Sequence, residues 1–236
     1  MPWEKIKYGG ALEWRENDSS MTGASRTILT RNSLTYQVAA DWRLFGKFNW
    51  SQTDGAADST LLAAFHEVVL GAAWRPVRND RWNTLFKFTI LEDQPSIAQI
   101  NSPGNTVDFA QQSRVFDVDT TYQASGWFSV GGKYAIRTGE IKSTAAGGDW
   151  YASQAQLWIA RGDFLMPRKW DGMIELRRLE VRETGDHRSG CLLGLYRHVG
   201  DHIKIGAGYN FTDYSDNLAD LSYRSRGFFV NTIGKF

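Results

Sequence analysis

Apolar and polar residues alternate with a period of two over most of this chain. In HIKIGAGYNF, residues 202–211, Ile203, Ile205, Ala207, Tyr209 and Phe211 fall on one side of an extended backbone. His202, Lys204, Gly206, Gly208 and Asn210 fall on the other. Successive side chains of a strand point to opposite faces, so the alternation predicts strands with one oily and one polar face. Twelve segments carry it: 4–15, 26–38, 41–52, 61–75, 81–92, 113–123, 127–141, 150–163, 169–182, 188–199, 202–213 and 222–236. Connections after the odd-numbered segments are polar and often long, whereas most of those after the even-numbered ones are tight, such as AA and ASG. Long and short loops therefore belong to opposite ends of an up-and-down antiparallel meander. Pro76, Pro95, Pro103 and Pro167 all fall in connections, as expected of a residue that cannot donate to a ladder. A weak hairpin repeat links TYQVAADWRLFGKFNW (35–50) with TYQASGWFSVGGKYAI (121–136). No shift of composition marks a linker, so residues 1–236 read as a single domain.

An oily face can point into the core of a soluble sandwich or lipocalin-like barrel, or out into lipid. Three features favour lipid. The segments run to about 11 to 15 residues against a usual five or six, which suits a tilted membrane crossing. The oily face carries rings near both ends: Tyr8 and Trp14, Trp42 and Trp50, Trp74, Trp82, Tyr122, Phe128 and Tyr134, Tyr209 and Phe211. Such girdles form at the two membrane interfaces, where an amphipathic ring meets hydrocarbon and water together. The other face is heavily charged. In the eight segments of clear phase it offers Lys5, Lys7, Arg15, Arg31, Arg43, Lys47, Arg75, Lys87, Lys133, Arg137 and Lys204 against Glu13, Glu67, Asp117 and Asp119, eleven cations to four anions. The predicted fold is a closed antiparallel transmembrane β-barrel of about 12 strands. Closure removes the sheet edges that hydrocarbon cannot solvate, and an even strand number puts both termini at the short-turn end.

The composition agrees with this picture. Aromatics reach 14% with 10 Trp and 23 Gly, yet the mean hydropathy is a polar −0.41. The net charge of +1 conceals the basic face behind acidic loops such as Asp18, Asp54, Asp58, Asp108 and Asp216. It provides no overall pull toward nucleic acid, and none is expected as a partner. Cys191 is the only cysteine, which excludes an intramolecular disulfide. No apolar run approaches the 18 residues of a membrane helix. The amino end, MPWEKIKYGG, has neither an apolar core nor a cleavage site, so an exported protein of this sequence is expected to be a mature or excised chain.

The carboxyl-terminal strand, GFFVNTIGKF, ends on Phe236 with Phe228, Val230, Thr232 and Gly234 in phase. It resembles the terminal assembly signal of bacterial outer-membrane β-barrels, although Thr232 and Gly234 depart from that pattern's usual apolar positions. The stretch from Leu195 to Phe236 also resembles the ends of barrel domains at the carboxyl terminus of very large bacterial surface proteins. These resemblances imply residence in a Gram-negative outer membrane and contact with its lipid and lipopolysaccharide. They also imply insertion by the barrel-assembly machinery, with Phe236 as its signal, and possible upstream domains absent from this chain.

The expected function is a passive pore for small solutes with mild anion preference, because a cationic bore concentrates anions. Its expected lining is Lys5, Lys7, Arg15, Arg31, Arg43, Lys47, Glu67, Lys87, Asp117, Asp119, Lys133, Arg137 and Lys204, together with Arg177 and Arg178. The bland reading is that the same charges pair and plug a narrow barrel, which leaves a non-conducting anchor or translocator domain of a larger protein. In MIELRRLEVRE (173–183) the apolar phase switches between Leu176 and Leu179. A bulge there predicts that Arg177 and Arg178 both face the bore with Glu175, Glu180 and Arg182, as a salt-bridge ladder that stiffens the wall or, alternatively, as a constriction for an anionic solute. His187-Arg188-Ser189 faintly resembles the outer-membrane phospholipase family, but the flanking residues do not match and no third group is at hand. No enzyme is expected. His66, His198 and His202 lie on different strands without ligand spacing, and no metal or other cofactor is expected. The connection 92–112 is left as a partner-binding loop, an inward fold or a disordered tip.

Overall fold

The computed structural model describes residues 5–19, 23–57, 59–94, 109–143, 149–200, 202–212, 214–218 and 226–234. Among them run thirteen strands: β1 (Ile6–Ser19), β2 (Gly23–Gln37), β3 (Trp42–Gly55), β4 (Leu61–Trp74), β5 (Trp82–Gln94), β6 (Phe109–Gln123) and β7 (Phe128–Ser143), followed by β8 (Trp150–Ala152), β9 (Ala155–Met166), β10 (Trp170–Val181), β11 (Asp186–Val199), β12 (Ile203–Asn210) and β13 (Gly227–Gly234). They follow one another in an antiparallel meander, with the short β8 beside β7. The strand number is thirteen rather than twelve because the expected segment 150–163 breaks at Ser153. Its backbone N–H donates to the Gly139 carbonyl at 2.8 Å, and its hydroxyl accepts from Arg137 at 2.6 Å. Phe236 and residues 95–108, most of the expected long loop, lie outside the described residues.

The chain divides into two compact units, one of Met1–Ala73, Phe86–Phe116 and Arg137–Gln154, the other of Trp74–Leu85, Asp117–Ile136 and Ala155–Phe236. In the first, β1, β2 and β3 pair in an unbroken register. One face collects Tyr8 with Leu34, Leu12 with Thr30 and Trp50, and Trp14 with Ile28. The other collects Gly9 with Ser33 and Lys47, and Ala11 with Arg31 and Asn49. In the second unit β9 to β13 pair in the same manner, with Leu193 beside Tyr209 and Phe228 on one face and Asn210 beside Leu192 on the other.

Large apolar side chains are widely exposed and several charged ones are buried, with Val115, Ala135, Leu157 and Ile159 buried alongside them. Leu12 is 79% exposed and Phe228 89%, whereas Asp117 is 3% exposed and Arg137 4%. Apolar exposure at this level within a regular sheet face demands an apolar medium, since water would make it an aggregation surface. Rings crowd the apolar face at the short-turn end of the second unit: Trp82 lies 6.5 Å from Trp74 and 5.2 Å from Tyr122, and Phe128 lies 5.0 Å from Phe164. Tyr134 packs at a tilt against Trp158, 5.5 Å between ring centres, and Tyr209 contacts both Phe211 and Phe228. Among the described residues no helix is long and apolar enough to cross a membrane.

Candidate functional site

The chemistry of this chain lies on its polar face, and the two units arrange it differently. In the first, a cavity of about 380 Å³ opens on β1 to β3, lined by Gly9, Ala11, Arg31, Ser33, Lys47 and Asn49. The small residues on β1 leave room beside two long cations. Glu13 is the only carboxylate on this face of the three strands, and it is shared by Arg15 at 2.5 Å and Arg31 at 3.7 Å. Arg43 donates to the neutral Gln37 at 3.0 Å. Lys7 and Lys47 belong to no ion pair among the described residues. Glu67 on β4 accepts from Asn49 at 2.6 Å, an amide and not a cation. This shelf therefore keeps a positive surplus that its own acids do not cancel. Lys5 lies just before β1 and is exposed, and Lys87 has the parity opposite to Trp82 on β5.

In the second unit the polar face is paired. Arg161 binds Asp163 at 2.8 Å, Arg177 binds Glu175, and Asp171 receives Lys204 at 2.5 Å and His198 at 2.8 Å. Lys204 also lies over the Tyr196 ring, 4.9 Å from its centre. Asp117 and Asp119 lie on the β6 face opposite Tyr122, and Lys133 on the β7 face opposite Tyr134.

The segment after β12 adds a second layer. Thr212, Tyr214 and Leu218 are buried. Tyr214 donates its hydroxyl to the Arg188 carbonyl at 3.2 Å, and Lys133 donates to the Asp216 carbonyl at 2.8 Å. Thr212 fits against Gly190, where a Cβ would fall inside the threonine side chain. The described part of 211–218 thus lies as a strap across the polar face from β11 to β7. Gly190→Val should displace Thr212 and lower stability by about 1–3 kcal/mol in urea unfolding, the usual penalty of overpacking.

Strand β10 corrects one expectation. Its register with β9 and β11 runs without a bulge from Trp170 to Val181. Arg177 is buried on the polar face, while Arg178 is exposed on the apolar one. The apolar phase switches because Leu179 and Val181 face Leu157 and Ala155, both buried, so a small dry patch occupies that end of the polar face. Of the expected basic residues, Arg31 and Lys47 line the cavity on β1 to β3, Lys133 donates to the Asp216 carbonyl, Arg177 pairs with Glu175 and Lys204 with Asp171. Sequence reading places Glu175 beside Arg177 on the inner face, as observed, but misses the strap and the partners Arg161, Asp163, Asp171 and His198. An unbroken period of two through 170–177 would have put Asp171, Glu175 and Arg177 on one face; the strap left no periodic signal. Among the described residues no three His, Cys, Asp or Glu side chains gather as a metal site.

No protein-family profile matches the chain, and no curated protein does. Among solved structures the chain is similar to the siderophore receptor PirA from Pseudomonas aeruginosa, at 10% identity and a TM-score of 0.63, covering 93% of this chain and 39% of that one. It is also similar to the alcaligin outer-membrane receptor FauA from Bordetella pertussis, at 10% identity and 0.50, covering 87% and 38%. A Pseudomonas aeruginosa FadL homologue matches at 14% and 0.50, covering 98% and 73%. The chain thus spans well under half the length of the two receptors. At these identities the likeness is one of fold, and the fold is that of bacterial outer-membrane β-barrel proteins.

Proposed function

We propose that this domain closes into a barrel in a Gram-negative outer membrane and serves as a passive pore for small solutes with mild anion preference. The observation that carries this reading is the unbalanced cationic shelf of Lys7, Arg31, Arg43 and Lys47 beside an open cavity. Such a surface lowers the entry barrier for anions and raises it for cations. In planar bilayers under a salt gradient, the wild type should give a reversal potential of anion-preferring sign. Arg43→Glu with Lys47→Glu should abolish or invert it. Absence of current, or cation preference in the wild type, would end this reading.

A second reading has its own support. The ion pairs, the dry patch of Leu157 and Leu179 and the strap fill much of the polar face of the second unit. A filled barrel suits a non-conducting anchor or translocator for a larger surface protein, and silent bilayers with intact insertion would favour it.

A further inference from the structure

The apolar face of β9 to β11 carries one feature that a pore does not use. From Trp170 to Arg178 is about 26 Å along the strand at roughly 3.3 Å per residue, and the rows between are Gly172, Ile174 and Leu176, flanked on β11 by Cys191, Leu193 and Leu195. This apolar band ends in an arginine on both sides. At the short-turn end Arg197 lies over the Trp170 ring at 5.4 Å, a satisfied interfacial pair. At the other end Arg178 stands between Trp158 and Ser189, exposed and in no ion pair among the described residues. Arg182, one row beyond Glu180, is steadied by Gln156, whose side-chain oxygen, with the amide turned toward the guanidinium, accepts from its Nε at 3.1 Å.

We propose that Arg178, supported by Arg182, binds a phosphate of lipid A in the outer leaflet. The inference rests on the membrane reading above. Outer-membrane barrels keep short turns inside and long loops outside. The connections at the Trp170 end are three residues long; at the Arg178 end the β10–β11 turn has four residues, but the β12–β13 connection spans 211–226, and this longer connection assigns that end to the outside. A guanidinium at the edge of an apolar band sits at headgroup height, where its planar fork matches two phosphate oxygens. The rows beneath offer Leu176, Ile174 and Leu193 to an acyl chain. Lipid A supplies both halves of that ligand, phosphate above and hydrocarbon below.

The test uses the full chain in phosphatidylcholine nanodiscs, with bound lipid A counted by native mass spectrometry. Wild type should retain bis-phosphorylated lipid A at least ten times more strongly than Arg178→Ala, Arg178→Lys should recover part of the difference, and Arg197→Ala should behave as wild type. Dephosphorylated lipid A should bind the wild type as weakly as lipid A binds Arg178→Ala, and inorganic phosphate should not compete. Equal binding by Arg178→Ala, or tight binding of the dephosphorylated lipid, overturns this proposal alone. A wild type that fails to enter the nanodisc overturns the membrane reading and this site with it.

Discussion

Leu193→Arg should lower the stability of the folded protein in lipid vesicles by about 2–4 kcal/mol, whereas Leu192→Arg should cost well under half of that. The two leucines are neighbours in sequence and identical in chemistry, so helix or strand propensity cannot separate them. They differ in face. Leu193 is 42% exposed in the row of Tyr209 and Ile174, an apolar band in which a guanidinium would be desolvated. Leu192 pairs with Asn210 and Glu175, where an added cation meets a polar side chain and a carboxylate. Urea unfolding of the two variants in vesicles reads the difference. A protein with its oily face in a dry core gives the reverse order.

Glu175→Ala should be about 3–5 kcal/mol less stable than wild type in the same assay, because it strands the buried Arg177 without its carboxylate. Replacing both partners, as Glu175→Leu with Arg177→Met, should regain most of the loss. The pair is therefore weak evidence for net stabilisation; what matters is that neither charge can be removed alone. If Glu175→Ala unfolds at the wild-type urea concentration, water reaches Arg177 freely and the second unit's polar face is open rather than filled.

The fold was legible because its signal is local. Alternation at Ile203, Ile205, Ala207 and Tyr209 fixes which side of a strand is oily whatever the strand later packs against, and proline and loop length fix where strands stop. The division at Ser153 was hidden, since it depends on Arg137, sixteen residues away. In β10, local alternation points the wrong way: Leu179 and Val181 look like an oily-face phase and suggest a bulge, but they join Leu157 on the polar face in a continuous register. The site was legible only as composition. Counting cations on the polar face separates them from the acids but cannot say which are neutralised, and that decides between the shelf at Lys47 and the closed pair at Arg177. The strap was invisible because Tyr214 and Asp216 are held by a backbone carbonyl on β11 and a side chain on β7, contacts with no sequence period.

Alternate-residue spin labelling along β12 tests the central claim most directly. With Cys191→Ser removing the native thiol, labels are placed singly at Ile203, Lys204, Ile205, Ala207 and Tyr209 in vesicle-reconstituted protein, and collisions with oxygen and with a polar nickel chelate are measured. Oxygen collisions should peak at 203, 205, 207 and 209, with a deep minimum for the chelate there, and the chelate should be favoured at 204. The opposite phase, or uniform chelate access along the strand, would contradict a sheet whose oily face meets hydrocarbon.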